Sequence, residues 1–293
     1  MAEADVATKA PESDAQEPSM ISSKDTPAQS GQSMGVRAPN PRQVSYYVLI
    51  MAGTGIHSKN NQLQADKYAS EGFLVVMPDQ FAGDPAPNST TDPNVDESNP
   101  SYIERVKMGL ATTAKSFLVD MWLARQTQEK VLPLLHKVIE GAKEEFADAV
   151  ANGGGVYAVG YCFGGKYVCL LAAELPDTVA HGQALKDEEQ GMAKTAPLIK
   201  AGALAHGTMI TKEDLESIQS PVTMACVEND QLFPDDVRSA GQTHLQEKKL
   251  EHEVKIYSGV PHGFAVVGEY GDPKIQEAQK EAFEQMVGWL KSH

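Results

Sequence analysis

Short apolar runs recur along this chain, and stretches of helical spacing separate them. The runs are S-Y-Y-V-L-I-M from Ser45, F-L-V-V-M from Phe73, V-Y-A-V-G from Val156, A-G-A-L-A-H from Ala201 and P-V-T-M-A-C-V from Pro221. The first two are almost continuously apolar, as strands buried on both faces are. Between the runs the pattern changes to helical. One helix is expected from about Asn61 to Ala69 before Gly72, and others over 102–125, 129–149 and Tyr167–Leu175. A short helix near Glu213–Ile218, a last strand at E-V-K-I-Y-S and an amphipathic helix over Gln276–Lys291 complete the series. Strands alternating with helices require an α/β fold, a mostly parallel central sheet with helices on both faces.

A single domain of about 250 residues suits this pattern. Residues 1–43 are rich in Ala, Ser, Gln, Pro and Asp and show neither helical nor strand period, so they are expected to be a disordered tail, with the domain over 44–293. A formal charge of −15 repels nucleic acid phosphates and anionic lipid, which leaves small molecules as the expected partners. The acidic N-terminus lacks the basic start and apolar middle of a secretory signal, and no run approaches the length of a membrane span. Three cysteines in 293 residues do not make a disulfide framework, so free thiols and a cytoplasmic location are expected.

The stretch A-V-G-Y-C-F-G-G-K-Y-V, 158–168, allows two machines. Read from Gly160 to Lys166 it is G-x-x-x-x-G-K, most of a phosphate-binding loop. That motif wants Ser or Thr at its eighth position to hold Mg²⁺, and Tyr167 stands there. Read around Cys162, it is a sharp strand-to-helix turn, with Gly160 and Gly164 supplying the small residues such a turn needs. The head of a helix favours thiolate over thiol, and the backbone N–H of Phe163 faces the place where an oxyanion would form. Cys162 is then a nucleophile candidate. As a lone cysteine it would more simply be a small buried apolar residue, the reading that Cys169, within the apolar helix, and Cys226, within a strand, receive.

A thiol nucleophile needs a base, and the base needs a group to fix its tautomer. His262 follows the last strand in G-V-P-H-G-F, and Asp230 follows P-V-T-M-A-C-V in E-N-D-Q-L-F-P. Nucleophile, acid, histidine is the chain order of the α/β-hydrolase fold.

Together with V-L-I-M-A-G-T-G, A-L-A-H and the run L-Q-A-D-K-Y-A-S-E-G-F-L-V-V-M-P-D-Q-F-A-G-D, these motifs resemble the dienelactone hydrolase family over about 44–291. The resemblance implies Cys162 as nucleophile, His262 as general base and then acid, and Asp230 as its orienting carboxylate. It implies a second oxyanion N–H near Thr54, a small ester or lactone as substrate, and no metal or organic cofactor. Two positions depart from the family pattern. Gly53 stands where better known members carry an acidic residue that gates the thiol, which leaves the resting activation of Cys162 open. Val266 stands where some bacterial members place an arginine for a substrate carboxylate, so a diene lactone carboxylate is not expected to carry over. The long tail and the S-T-T-D-P-N loop look more like fungal relatives. His57 and His206 fall on the expected active face, and Phe81 and Arg105 on segments that could line a lid, so all four are candidate substrate contacts. A hydrolase-like scaffold that binds without turnover is the alternative, and monomer and dimer both remain open.

Overall fold

The computed structural model describes residues 35–37, 46–52, 55–86, 118–176, 194–268 and 270–293. Seven strands form one sheet in the order β1 (Gly35–Arg37), β3 (Phe73–Met77), β2 (Tyr46–Ala52), β4 (Val156–Tyr161), β7 (Ala201–Ala205), β8 (Val222–Val227) and β9 (His252–Tyr257). Every neighbouring pair is parallel except β1 with β3. Two short strands, β5 (Leu175–Pro176) and β6 (Lys194–Thr195), form a separate ribbon. The helices are α1 (Lys59–Ser70), α2 (Gln128–Glu145), α3 (Ala147–Gly153), α4 (Phe163–Leu171), α5 (Lys212–Glu216), α6 (Asp235–Glu247) and α7 (Pro273–Ser292), with a further helical segment at 118–125.

The expected α/β architecture therefore forms, because β3, β4, β7 and β8 are buried along their whole length. Their period of two divides each strand between two cores. Val156 and Ala158 of β4 join Leu135, Ile139, Val168 and Leu171 on one face of the sheet. Tyr157, Val159 and Tyr161 join Tyr68, Phe283, Met286 and Leu290 on the other. On that second face β7 presents Ala201, Ala203 and Ala205, which leave room for α7 to pack close to the sheet. At the far edge, β9 turns Glu253, Lys255 and Ile256 outward, and the charges guard an unpaired edge.

Several boundaries differ from the sequence expectation. The sheet extends into the stretch assigned to the tail, because Gly35–Arg37 pairs antiparallel with Val75–Met77. The helix expected over 129–149 breaks at Phe146, whose ψ of 35° leaves the helical region, and resumes as α3 to Gly153. The helix after the glycines runs over 163–171 rather than Tyr167–Leu175, so it begins directly behind Cys162. Among the described residues, no helix is long and apolar enough to cross a membrane.

Candidate active site

Four neighbouring strands, β4, β7, β8 and β9, end on the same side of the sheet, and each is followed by a loop carrying a chemically useful group. The carboxyl ends of parallel strands are where such folds place their chemistry. The turn after β4 is the sharpest. A β-carbon on Gly160 would stand 2.4 Å from the carbonyl oxygen of Gly164 and 2.7 Å from the nitrogen of Gly165, so only glycine lets the first turn of α4 sit that close. Cys162 has φ 53° and ψ −124°, a conformation that costs a residue with a β-carbon on the order of 1–3 kcal/mol. Hydrogen bonds hold it there. The Cys162 N–H donates to the carbonyl of Ala205 at 3.2 Å, and the Cys162 carbonyl accepts from Gly165 at 2.9 Å and Thr208 at 3.2 Å.

Cys162 is partly exposed, whereas Cys169 and Cys226 are buried. Burial pushes the thiols of Cys169 and Cys226 upward, which keeps both protonated and inert. The His262 Nε2 lies 3.5 Å from the Cys162 Sγ. Its Nδ1 lies 2.7 Å from Oδ2 of Asp230, whose other oxygen accepts the N–H of Leu232 at 2.9 Å. Gly263, at φ 92°, lets the chain turn directly after the imidazole, and its carbonyl accepts the hydroxyl of Tyr270 at 2.9 Å.

The fourth group is not among the residues expected from the sequence. The Thr208 hydroxyl, on the loop after β7, is 3.1 Å from the Cys162 Sγ and 3.2 Å from the His262 Nε2. It is 3% exposed, so it is fixed within the site rather than waving at its mouth. Its one legible trace is the H-G-T that follows A-L-A, a polar residue just past the carboxyl end of a buried strand.

These contacts set the charges. Burial pushes the Cys162 thiol up, but the hydrogen bond and charge of His262, the Thr208 hydroxyl and the Phe163 N–H outweigh it and bring the thiol below its ordinary value. Burial pushes His262 down, but Asp230 and Cys162 outweigh it and raise the imidazole to about 10. Both shifts favour one state, a thiolate beside an imidazolium.

A strained cysteine at the head of a helix, with a histidine and aspartate aligned behind it, is the arrangement that the resemblance implies. The family model described as the dienelactone hydrolase family matches residues 34–293.

The chain belongs to the dienelactone hydrolase family.

Members of this family are hydrolases of ester and lactone type, and this chain is one of them. It is similar to the hydrolase pyvD of Aspergillus violaceofuscus, 28% identical over 82% of this chain and 77% of that one. It is also similar to the hydrolase tropI of Talaromyces stipitatus, 27% identical over 87% and 84% of the two chains. The carboxymethylenebutenolidase homologue of Homo sapiens is 22% identical over 80% and 76%. Among solved structures, a putative dienelactone hydrolase from Klebsiella pneumoniae superposes with a TM-score of 0.59 at 16% identity, covering 89% of this chain and 98% of that one. The shared α/β-hydrolase fold is what that last likeness shows.

The remaining expectations for this dienelactone hydrolase family member divide. His206 is not a rim residue: it is wholly buried, at φ 38°, with its ring centroid 4.9 Å from that of His262 and packed near Tyr161 and Phe264. Neither of its ring nitrogens has a hydrogen-bond partner among the described residues. Phe81 is not a lid residue either. It is 1% exposed in an aromatic cluster, 4.7 Å from Trp122 and 6.2 Å from Phe163 between ring centroids. Covered by protein, neither side chain offers surface to a substrate. His57 is exposed on the turn ahead of α1. Thr54 and Arg105 lie outside the described residues. Lys166, which raised the phosphate-loop reading, is turned away from that loop. It forms an ion pair with Asp214 of α5 and donates to the carbonyl of Met209 at 3.1 Å.

Proposed function

We propose that this enzyme cleaves a small ester, lactone or similarly activated carbonyl compound through a Cys162 thiolate and a thioester intermediate. The observation that carries the reading is one line of contacts: the sulfur of a partly exposed cysteine, 3.5 Å to Nε2 of His262, and 2.7 Å from Nδ1 of the same ring to Asp230.

The steps follow from those positions. The thiol proton moves to His262 Nε2, and the thiolate adds to the carbonyl carbon. The Phe163 N–H, at the head of α4, receives the oxyanion. Collapse of the adduct breaks the carbon–oxygen bond of the ester, and the His262 imidazolium protonates the departing alkoxide or enolate. Water then adds to the thioester as His262 takes its proton, and Cys162 leaves as thiolate. Asp230 keeps Nδ1 protonated, so Nε2 is the nitrogen that exchanges protons with substrate. A tetrahedral adduct on sulfur expels the thiolate readily, so turnover favours substrates whose leaving group competes with it, such as enol esters and lactones, over amides.

The test is a panel of nitrophenyl esters and enol lactones assayed with the wild-type enzyme and Cys162→Ala, with mass spectrometry of the quenched protein. The rate should fall by roughly a thousandfold or more in the variant. An acyl mass should appear on the wild-type peptide that contains Cys162. A variant that keeps the wild-type rate would falsify the thiol mechanism.

A further inference from the structure

Three atoms, not two, meet at the reactive sulfur. The Thr208 Oγ1 is 3.1 Å from Cys162 Sγ and 3.2 Å from His262 Nε2, while Sγ and Nε2 are 3.5 Å apart, so the hydroxyl closes a triangle. A hydroxyl carries one hydrogen and two lone pairs. Beside a neutral thiol and imidazole, Oγ1 can accept from S–H and donate to Nε2. Beside a thiolate and an imidazolium, it can accept from Nε2–H and donate to the sulfur. Rotation about one carbon–oxygen bond converts the first pattern to the second, and no heavy atom need move.

The backbone fixes this hydroxyl. The Thr208 N–H donates to the carbonyl of Cys162 at 3.2 Å, and the next residue, Met209, donates to the carbonyl of Leu232 in the loop of Asp230 at 3.3 Å. The Met209 carbonyl is in turn held by Lys166 of α4 at 3.1 Å. Met209 sits at φ 55°, a conformation that persists only where such ties overdetermine it. The segment carrying Thr208 is thus fastened to the nucleophile's turn, the acid's loop and the nucleophile's helix.

Resting on Cys162 being the nucleophile, the geometry points to Thr208 as a further catalytic residue, whose hydroxyl donates to the resting Cys162 thiolate while accepting from the His262 imidazolium. Among the described residues, the ionisable groups around it are otherwise accounted for. His262 and Asp230 form the hydrogen-bonded pair on the loops after β9 and β8. His206, at the end of β7, is held neutral by burial and by His262. Lys166 of α4 is paired with Asp214 of α5. Removing the hydroxyl should therefore act on the sulfur and imidazole and not on a remote charge. As the thiolate forms, the S–H bond breaks and an N–H bond forms on Nε2, and the Thr208 proton turns toward the sulfur without leaving its oxygen.

The test follows thiolate content directly, in the full chain, by ultraviolet absorbance and by the rate of iodoacetamide alkylation of Cys162 from pH 5 to 10. The variants are Thr208→Val, which keeps the shape and loses the hydroxyl, Thr208→Ser, which keeps the hydroxyl, and Thr208→Ala as a second deletion. A hydrogen bond to a charged group is strong enough to move a titration by about one to two units. The thiolate titration should move up by that amount in the valine and alanine variants and return in serine. Alkylation at pH values below the wild-type thiolate midpoint should slow by roughly tenfold or more in the deletions and converge with wild type at high pH, a pattern that general loss of structure does not give. A valine and an alanine profile both superimposable on wild type, while His262→Ala abolishes the low-pH thiolate, would overturn the role of Thr208 and leave the proposed mechanism standing. A wild-type enzyme without a low-pH thiolate would likewise overturn the role of Thr208, whereas the mechanism itself falls only if Cys162→Ala keeps the wild-type rate.

Discussion

The ring of His206 lies edge-on to that of His262, 4.9 Å between centroids and 69° between planes, and it is wholly buried. Burial and the neighbouring imidazole hold His206 well below the usual histidine value of 6.5. It therefore stays neutral behind the His262 ring, filling space without adding a second positive charge.

That neutrality costs stability in acid. A base whose value is lower in the folded than in the unfolded protein contributes fully above 6.5, and the contribution is lost as pH falls below that point, because the unfolded chain takes up the proton and the folded one does not. The loss approaches about 1.4 kcal/mol per pH unit once the pH is a unit or more below the unfolded value. Urea unfolding of the wild type and His206→Phe at pH 7.5 and 5.5 should show the variant losing less stability between the two. Equal losses would mean that His206 takes up its proton in the native protein.

Asp230→Asn should retain the fold and lose most of the activity, by about a thousandfold in kcat, because Nδ1 no longer meets a carboxylate that fixes the tautomer. The pH profile gives a second readout. In the wild type the acid limb of activity should lie below the ordinary thiol range, and the alkaline limb should follow deprotonation of His262 toward about 10. Asp230 raises His262, so its removal should bring the alkaline limb down in pH. A rate profile over pH 5–10 checks both.

Gly160→Ala should destabilise the protein by about 3 kcal/mol. Its β-carbon would meet backbone atoms of Gly164 and Gly165, which cannot swing aside as the end of a flexible side chain could. Thermal unfolding measures the loss, and the surviving folded fraction should show slower alkylation of Cys162, since the turn must open to relieve the clash.

Lys166→Met should cost about 3 kcal/mol, because Asp214, whose side chain is 10% exposed, would lose its ion-pair partner and retain, among the described residues, only the N–H of Thr211. Pairing with Asp214 also removes the lysine from any phosphate-loop role. Mg-ATP should leave the melting temperature of the wild type unchanged, and a rise would reopen that role.

What could be read from the sequence depended on whether the cause was local. The turn at Cys162 was legible because its steric demand acts between residues four apart, Gly160 against Gly164, and leaves glycines in the chain. The strand end that brings Asp230 to the rim was legible because a buried parallel strand keeps an apolar run, whereas the edge strand before His262 mixes charged residues with apolar ones. The nearness of Thr208 to the sulfur was not legible, since it depends on the register that sets Tyr161 beside Ala205, 44 positions further along the chain. His206 looked like a rim residue for a similar reason: sequence places it at a strand's end, and only the packing of Tyr161, His262 and Phe264 covers it. Strand β1 was invisible because three residues, Gly35–Arg37, are too few to show a period, and their pairing is decided by the open edge of β3.

Sulfur, hydroxyl, carboxylate and imidazole each arrive on a different strand, and the strands are neighbours in space though scattered along the polymer. A refolding chain should accordingly carry an ordinary, sluggish thiol until the last of the four docks, and only then an activated one. The reactivity of a single side chain becomes a clock for tertiary assembly, readable by quenching with an alkylating agent at successive times.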